Sequence, residues 1–77
     1  MNKSRRKAIE EIIDQLGVLK EQLESVGEDE QEAFDNLPES IQYSERGEAM
    51  GEYVTDLDDA ASSIDDVMST LQDIIER

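Results

Sequence analysis

A chain of 77 residues without cysteine or histidine excludes disulfides, thiolate or imidazole metal sites, and any nucleophile that depends on an imidazole base. Its 21 acidic and 7 basic side chains give a formal charge of −14, a field that repels nucleic acid and anionic membrane and favours a basic partner surface. With 36% apolar residues and only Phe34, Tyr43 and Tyr53 aromatic, any core must come from regularly spaced aliphatic side chains.

In chain order, the basic opening Lys3, Arg5, Arg6 and Lys7 leads into no continuous apolar run. It therefore reads neither as a secretory leader nor as a membrane span, which needs roughly 18 apolar residues, and the expectation is a soluble, unprocessed chain. Ile9, Ile12, Leu16, Leu19, Leu23, Val26, Glu30, Ala33 and Leu37 then alternate steps of three and four, a heptad stripe with Glu30 as its polar interruption. Ile13, Lys20, Gly27 and Phe34 form a weaker flanking row. Gly17 and Gly27 each cost about 1 kcal/mol against alanine inside a helix, yet the heptad register runs unbroken through both. The spacing thus predicts one continuous first helix over about 3–36.

Pro38 disfavours helical geometry at Leu37 and has no N–H to donate, so the helix should stop there. A connection over 37–43 follows, with room for one helical turn at 38–43. Ser44 is placed to cap a second helix, and Glu45 and Glu48 suit the positive end of its macrodipole. Arg46 is the lone cation there and is expected to tie the turn to the helix start, while Leu37, Ile41 and Tyr43 are expected to close the end of the core. The second helix, about 44–76, carries Met50, Val54, Leu57, Ala61, Ile64, Met68, Leu71 and Ile75 at the same spacing, flanked by Tyr53, Ala60, Val67 and Ile74. Two matched helices joined by a short connection make an all-α antiparallel helical hairpin, a single domain over 1–77. Because the second apolar face is broader than one partner helix needs, the hairpin is expected to pair into a homodimeric four-helix bundle. The basic opening should then pair with Asp73 and Glu76 at the end of the antiparallel helix.

The side chains that carry chemistry lack their partners. Inward-facing Glu-x-x-His pairs cannot be built without histidine. The acidic run Asp56-Leu57-Asp58-Asp59 has neither the central glycine nor the terminal glutamate spacing of a calcium loop, and it sits inside the heptad stripe. Ser62, Ser63 and Thr70 have no base, and Gly47 and Gly51 form no phosphate-cradling loop. No catalytic site, cofactor or metal is expected. What the second helix does offer is acid: Glu52, Asp56, Asp59 and Asp66 recur at three, four and seven residues and are the candidate partner-binding residues. Such rows imitate the charge of a duplex, about one phosphate per 1.7 Å of axis, at lower density.

The segment Asn36-Leu37-Pro38-Glu39-Ser40-Ile41-Gln42, continuing through Ser44-Glu45-Arg46-Gly47-Glu48-Ala49-Met50, resembles small acidic helical proteins of bacteriophages and prophages. The chain departs from that pattern at Gly51 and Tyr53, where a plainer acidic, alanine-rich helix would stand. The resemblance implies a cytoplasmic setting in a bacterial host and no enzyme activity, and it carries over no catalytic residues. Together with the charge, it leads to the expectation of an acidic interaction protein that occupies a basic nucleic-acid-binding surface as an inhibitor or mimic. The alternative is a structural adaptor that pairs with another helical protein through its heptad stripe.

Overall fold

Asn2 opens the first helix: its Oδ1 accepts the Arg5 N–H at 2.8 Å, satisfying one of the free amides of the first turn. The computed structural model describes all 77 residues as α1 (Lys3–Asp35), α2 (Glu39–Gln42) and α3 (Glu45–Glu76). Helix α1 is continuous through Gly17 and Gly27, as the unbroken heptad register requires. It stops where proline was expected to stop it, with Asn36 as its C-cap.

The connection is a set of interlocking caps. The Pro38 carbonyl accepts the N–H groups of Ile41 and Gln42 at 2.8 and 3.0 Å, which makes α2 a single helical turn. Gln42 then reaches back, its Nε2 donating at 3.1 Å to the Phe34 carbonyl, which also accepts the Leu37 N–H at 3.0 Å, and at 3.4 Å to the Asp35 carbonyl, and so ties the connection to the end of α1. Ser44 holds the N-cap position of α3, but its hydroxyl donates backwards to the Ile41 carbonyl and makes no bond to α3. The expected side-chain cap is therefore absent. The first turn of α3 rests on the dipole-favoured Glu45 and Glu48 and on its fit against α2. That fit is tight at Gly47, where a Cβ would fall 2.1 Å from the Gln42 carbonyl oxygen. Tyr43 does not close the core: it is 79% exposed, whereas Leu37 and Ile41 are half-buried.

The two long helices pack antiparallel along their whole length. On α3 the seam comprises Met50, Val54, Leu57, Ala61, Ile64, Met68, Leu71 and Ile75, all half-buried or buried, and Gly47 extends it at the turn. On α1 the seam is Ile9, Ile13, Leu16, Lys20, Leu23, Gly27, Glu30, Phe34 and Leu37. The row expected only to flank has thus replaced half of the expected stripe, and Ile12, Leu19, Val26 and Ala33 lie outside. The cause is pairwise. Lys20 reaches Asp65 across the seam at 2.8 Å, and Gly27 faces Leu57, whose Cβ lies at an ordinary contact distance of 3.8 Å from where a glycine Cβ would stand.

The result is a rod of 58 × 15 × 12 Å with a radius of gyration of 17.5 Å. A compact domain of this length would have a radius near 11–12 Å. Ala61, at 2% exposure, is the only fully buried apolar residue. One hairpin on its own therefore leaves most of its apolar side chains partly wet.

Candidate interaction surface

Heptad geometry divides the hairpin into faces. In an antiparallel pair the row just before the seam on one helix lies beside the corresponding row on the other, on the same side of the hairpin. Here those rows are Ile12, Leu19, Val26 and Ala33 on α1 and Tyr53, Ala60, Val67 and Ile74 on α3. Ile12, Leu19, Val26, Tyr53 and Val67 are between 47% and 59% exposed. The register pairs them into four rungs: Ile12 with Ile74, Leu19 with Val67, Val26 with Ala60, and Ala33 with Tyr53.

The residues bordering this side are nearly all uncharged. They are Ala8, Gln15, Gln22 and Asp29 on α1 and Ala49, Asp56, Ser63 and Thr70 on α3. Ser63 and Thr70 donate their hydroxyls to the Asp59 and Asp66 carbonyls of their own helix at 3.0 and 3.1 Å. Covering them would strand no hydroxyl donor. On a chain of charge −14, only Asp29 and Asp56 among the residues of this side are acidic.

The opposite side is polar. It holds Glu10, Glu24, Gln31, Asp58, Asp65 and Gln72, and both ion pairs of the molecule belong to it: Lys20 to Asp65 at 2.8 Å and to Glu24 at 3.3 Å. The Lys20 ammonium sits above the usual lysine range, chiefly through its hydrogen bond to Asp65, against a smaller opposing effect of desolvation and with help from Glu24. A shallow groove beside Gly27, between Leu23, Gln31, Val54 and Asp58, opens on this side as well.

The four candidate acids do not form one set. Glu52, Asp59 and Asp66 stand at intervals of seven on the outer face of α3, in line with Glu45 and Asp73. At about 1.5 Å per residue they span roughly 21 Å. Asp56 falls instead on the edge of the uncharged side. All four are exposed, none forms an ion pair, and no group of three or more acidic side chains converges closely enough to hold a metal ion.

At the open end, Lys3, Arg5, Arg6 and Lys7 make no ion pair, and the buried Nε of Arg6 has no acceptor. The expected pairing with Asp73 and Glu76 fails because those acids face outward on α3, where Glu76 accepts from Gln72 at 3.1 Å. Arg46 forms no ion pair at the turn either.

The uncharged side is not visible as a surface in the sequence, because hydropathy places its α1 row in the seam. The available signal was the pairing of a seam lysine with a carboxylate on the facing helix, which fixes the rotation of α1 about its axis. No helix is long and apolar enough to cross a membrane. No protein-family model, curated protein or solved structure matches this chain.

Proposed function

We propose that this protein is a non-catalytic interaction module that pairs with other helices through its uncharged side, in its basic form as a four-helix bundle of two hairpins. The observation that carries this reading is the double row of half-exposed aliphatic residues centred on Leu19, Val26 and Val67, bordered by side chains of which only Asp29 and Asp56 are acidic. Covering each such residue returns on the order of 1 kcal/mol, and helices brought together on this side meet few like charges.

The test is a double substitution, Leu19→Asp with Val67→Asp. Both positions lie outside the hairpin seam, so helicity by circular dichroism should be kept. The mass in solution, measured by light scattering behind size exclusion, should fall from two chains to one. Association should weaken at least a hundredfold, since each buried unpaired carboxylate costs about 2 kcal/mol or more. A wild-type protein that stays monomeric at every concentration would overturn the reading.

A second reading is supported by the line Glu45, Glu52, Asp59, Asp66 and Asp73, exposed and without ion pairs on the outer face of α3. In a paired assembly that line stays outside and presents acid to a basic protein surface, in keeping with the resemblance to small phage proteins. Changing Glu52, Asp59 and Asp66 together to lysine should reduce retention on an immobilised basic nucleic-acid-binding protein at least tenfold without altering self-association. Equal retention would remove this role.

A further inference from the structure

Charge runs unevenly along the rod as a whole, and side-chain size runs unevenly along its uncharged side. The open end carries Lys3, Arg5, Arg6 and Lys7, all without a carboxylate partner and outnumbering the outward-facing Asp73 and Glu76 of α3, while the turn end carries Asp35, Glu39, Glu45 and Glu48 with Arg46 as its single cation. The rungs are bulky at the open end, where Ile12 stands beside Ile74, and pass through Leu19 with Val67 and Val26 with Ala60 to Ala33 with Tyr53 at the turn.

The basic start is also unfavourable for its own helix. The first turn of α1 has no acid and several cations at the positive end of the macrodipole, an arrangement that costs up to about 1 kcal/mol per charge when exposed at low salt. A local rule broken without an internal compensation points to a compensation outside the chain.

We infer that the occupant of the uncharged side is a second copy of this chain laid end over end, so that each basic start lies against the acidic turn of the other copy; this rests on the helix-pairing reading above. The two-fold axis then crosses the rods at mid-length, and α1 lies antiparallel on α1 of the second copy, as α3 does on α3. Ile12 meets Ala33 of the second copy, Leu19 meets Val26, Ala60 meets Val67, and Ile74 meets Tyr53. Every layer of the bundle combines the larger rung of one copy with the smaller of the other, which packs more evenly than four isoleucines in one layer and two tyrosines in another. The end-matched alternative stacks two basic starts on each other and two acidic turns on each other. It brings α1 onto α3 of the second copy and leaves the charges of both ends unmatched.

The absence of cysteine makes the orientation directly readable. Gln22 and Ser63 lie at the mid-length of α1 and α3, on the border of the uncharged side, exposed and outside the seam. In the end-over-end dimer each lies beside its own counterpart. A short bismaleimide should therefore join Gln22→Cys to itself and Ser63→Cys to itself, with little product between the two variants when they are mixed. In the end-matched dimer Gln22 faces Ser63, so only the mixture would cross-link, which would overturn the orientation and leave the helix-pairing function standing. A protein that light scattering shows as a monomer, and that cross-links in neither case, would overturn both.

Discussion

Replacing Gly47 with alanine is expected to lower the melting temperature by roughly 5–20 °C, because the added methyl has nowhere to go and overpacking of this kind costs about 1–3 kcal/mol. The built Cβ would lie 2.1 Å from the Gln42 carbonyl oxygen and 2.7 Å from that of Ile41, and both contacts are backbone. No side chain can swing aside to relieve them. To admit the methyl, α3 must withdraw from α2, and that withdrawal also loosens the Gln42 side chain from the end of α1. The same exchange four residues later should do the reverse. At Gly51 a Cβ meets nothing within 4 Å, so Gly51→Ala gains helix propensity alone, about 1 kcal/mol, and should raise the melting temperature by about 4–8 °C. Thermal melts of the two variants at one protein concentration decide the matter. A rise in both would show that Gly47 is not a packing position.

The second large effect is expected at Leu57, where Leu57→Asp should abolish the cooperative melt and most of the helical signal at 222 nm. Leu57 sits in the seam against Gly27, near mid-length, with Val54 and Ala61 on either side along α3. An aspartate there loses the apolar contact and places a charge in a strip that already holds Glu30 without an ion-pair partner. A chain of this size has total stability of order 4–12 kcal/mol, and a buried unpaired charge removes several of them. The contrast with Leu19→Asp and Val67→Asp is the informative part: seam residues hold the hairpin, whereas in the proposed pairing the side-face residues hold its partner. A folded Leu57→Asp variant that had merely lost its dimer would place Leu57 on the outer surface and refute the seam described above.

The existence, length and limits of the helices were legible because they rest on local chemistry: an unbroken three-four spacing, a proline that cannot continue a helix, and a serine followed by acids that opens one. The whole α3 seam was legible as well, since its eight apolar positions alternate steps of four and three without a break and outweigh the row of Tyr53, Ala60, Val67 and Ile74 that flanks them. On α1 two rows share the alternation. Ile12, Leu19, Val26 and Ala33 are jointly more apolar than Ile13, Lys20, Gly27 and Phe34, so hydropathy selects the wrong phase. The choice belongs to α3, which supplies a carboxylate for Lys20 and a leucine that packs at contact distance over Gly27. Of the candidate acids, the line through Glu52, Asp59 and Asp66 was legible from its period of seven, but the setting of Asp56 on another face followed only once the seam was known. Ser44 shows the same limit at the scale of one hydroxyl: its position in the chain announces a cap, and a competing carbonyl three residues back takes the hydrogen bond.

The connection between the helices also sets the order in which the rod can close. Pro38, Gln42 and Gly47 bind the end of α1, the single turn of α2 and the start of α3 through contacts between residues close in sequence, so this end forms at the smallest loss of chain freedom. Each further pair along the seam then closes only a slightly longer loop, and the hairpin zips from its connection towards its free ends. Reopening runs the other way. The last turns to form and the first to fray are those of the basic start, so in the proposed end-over-end pairing the cations that meet a second copy stand on the segment with the greatest freedom to adjust to it.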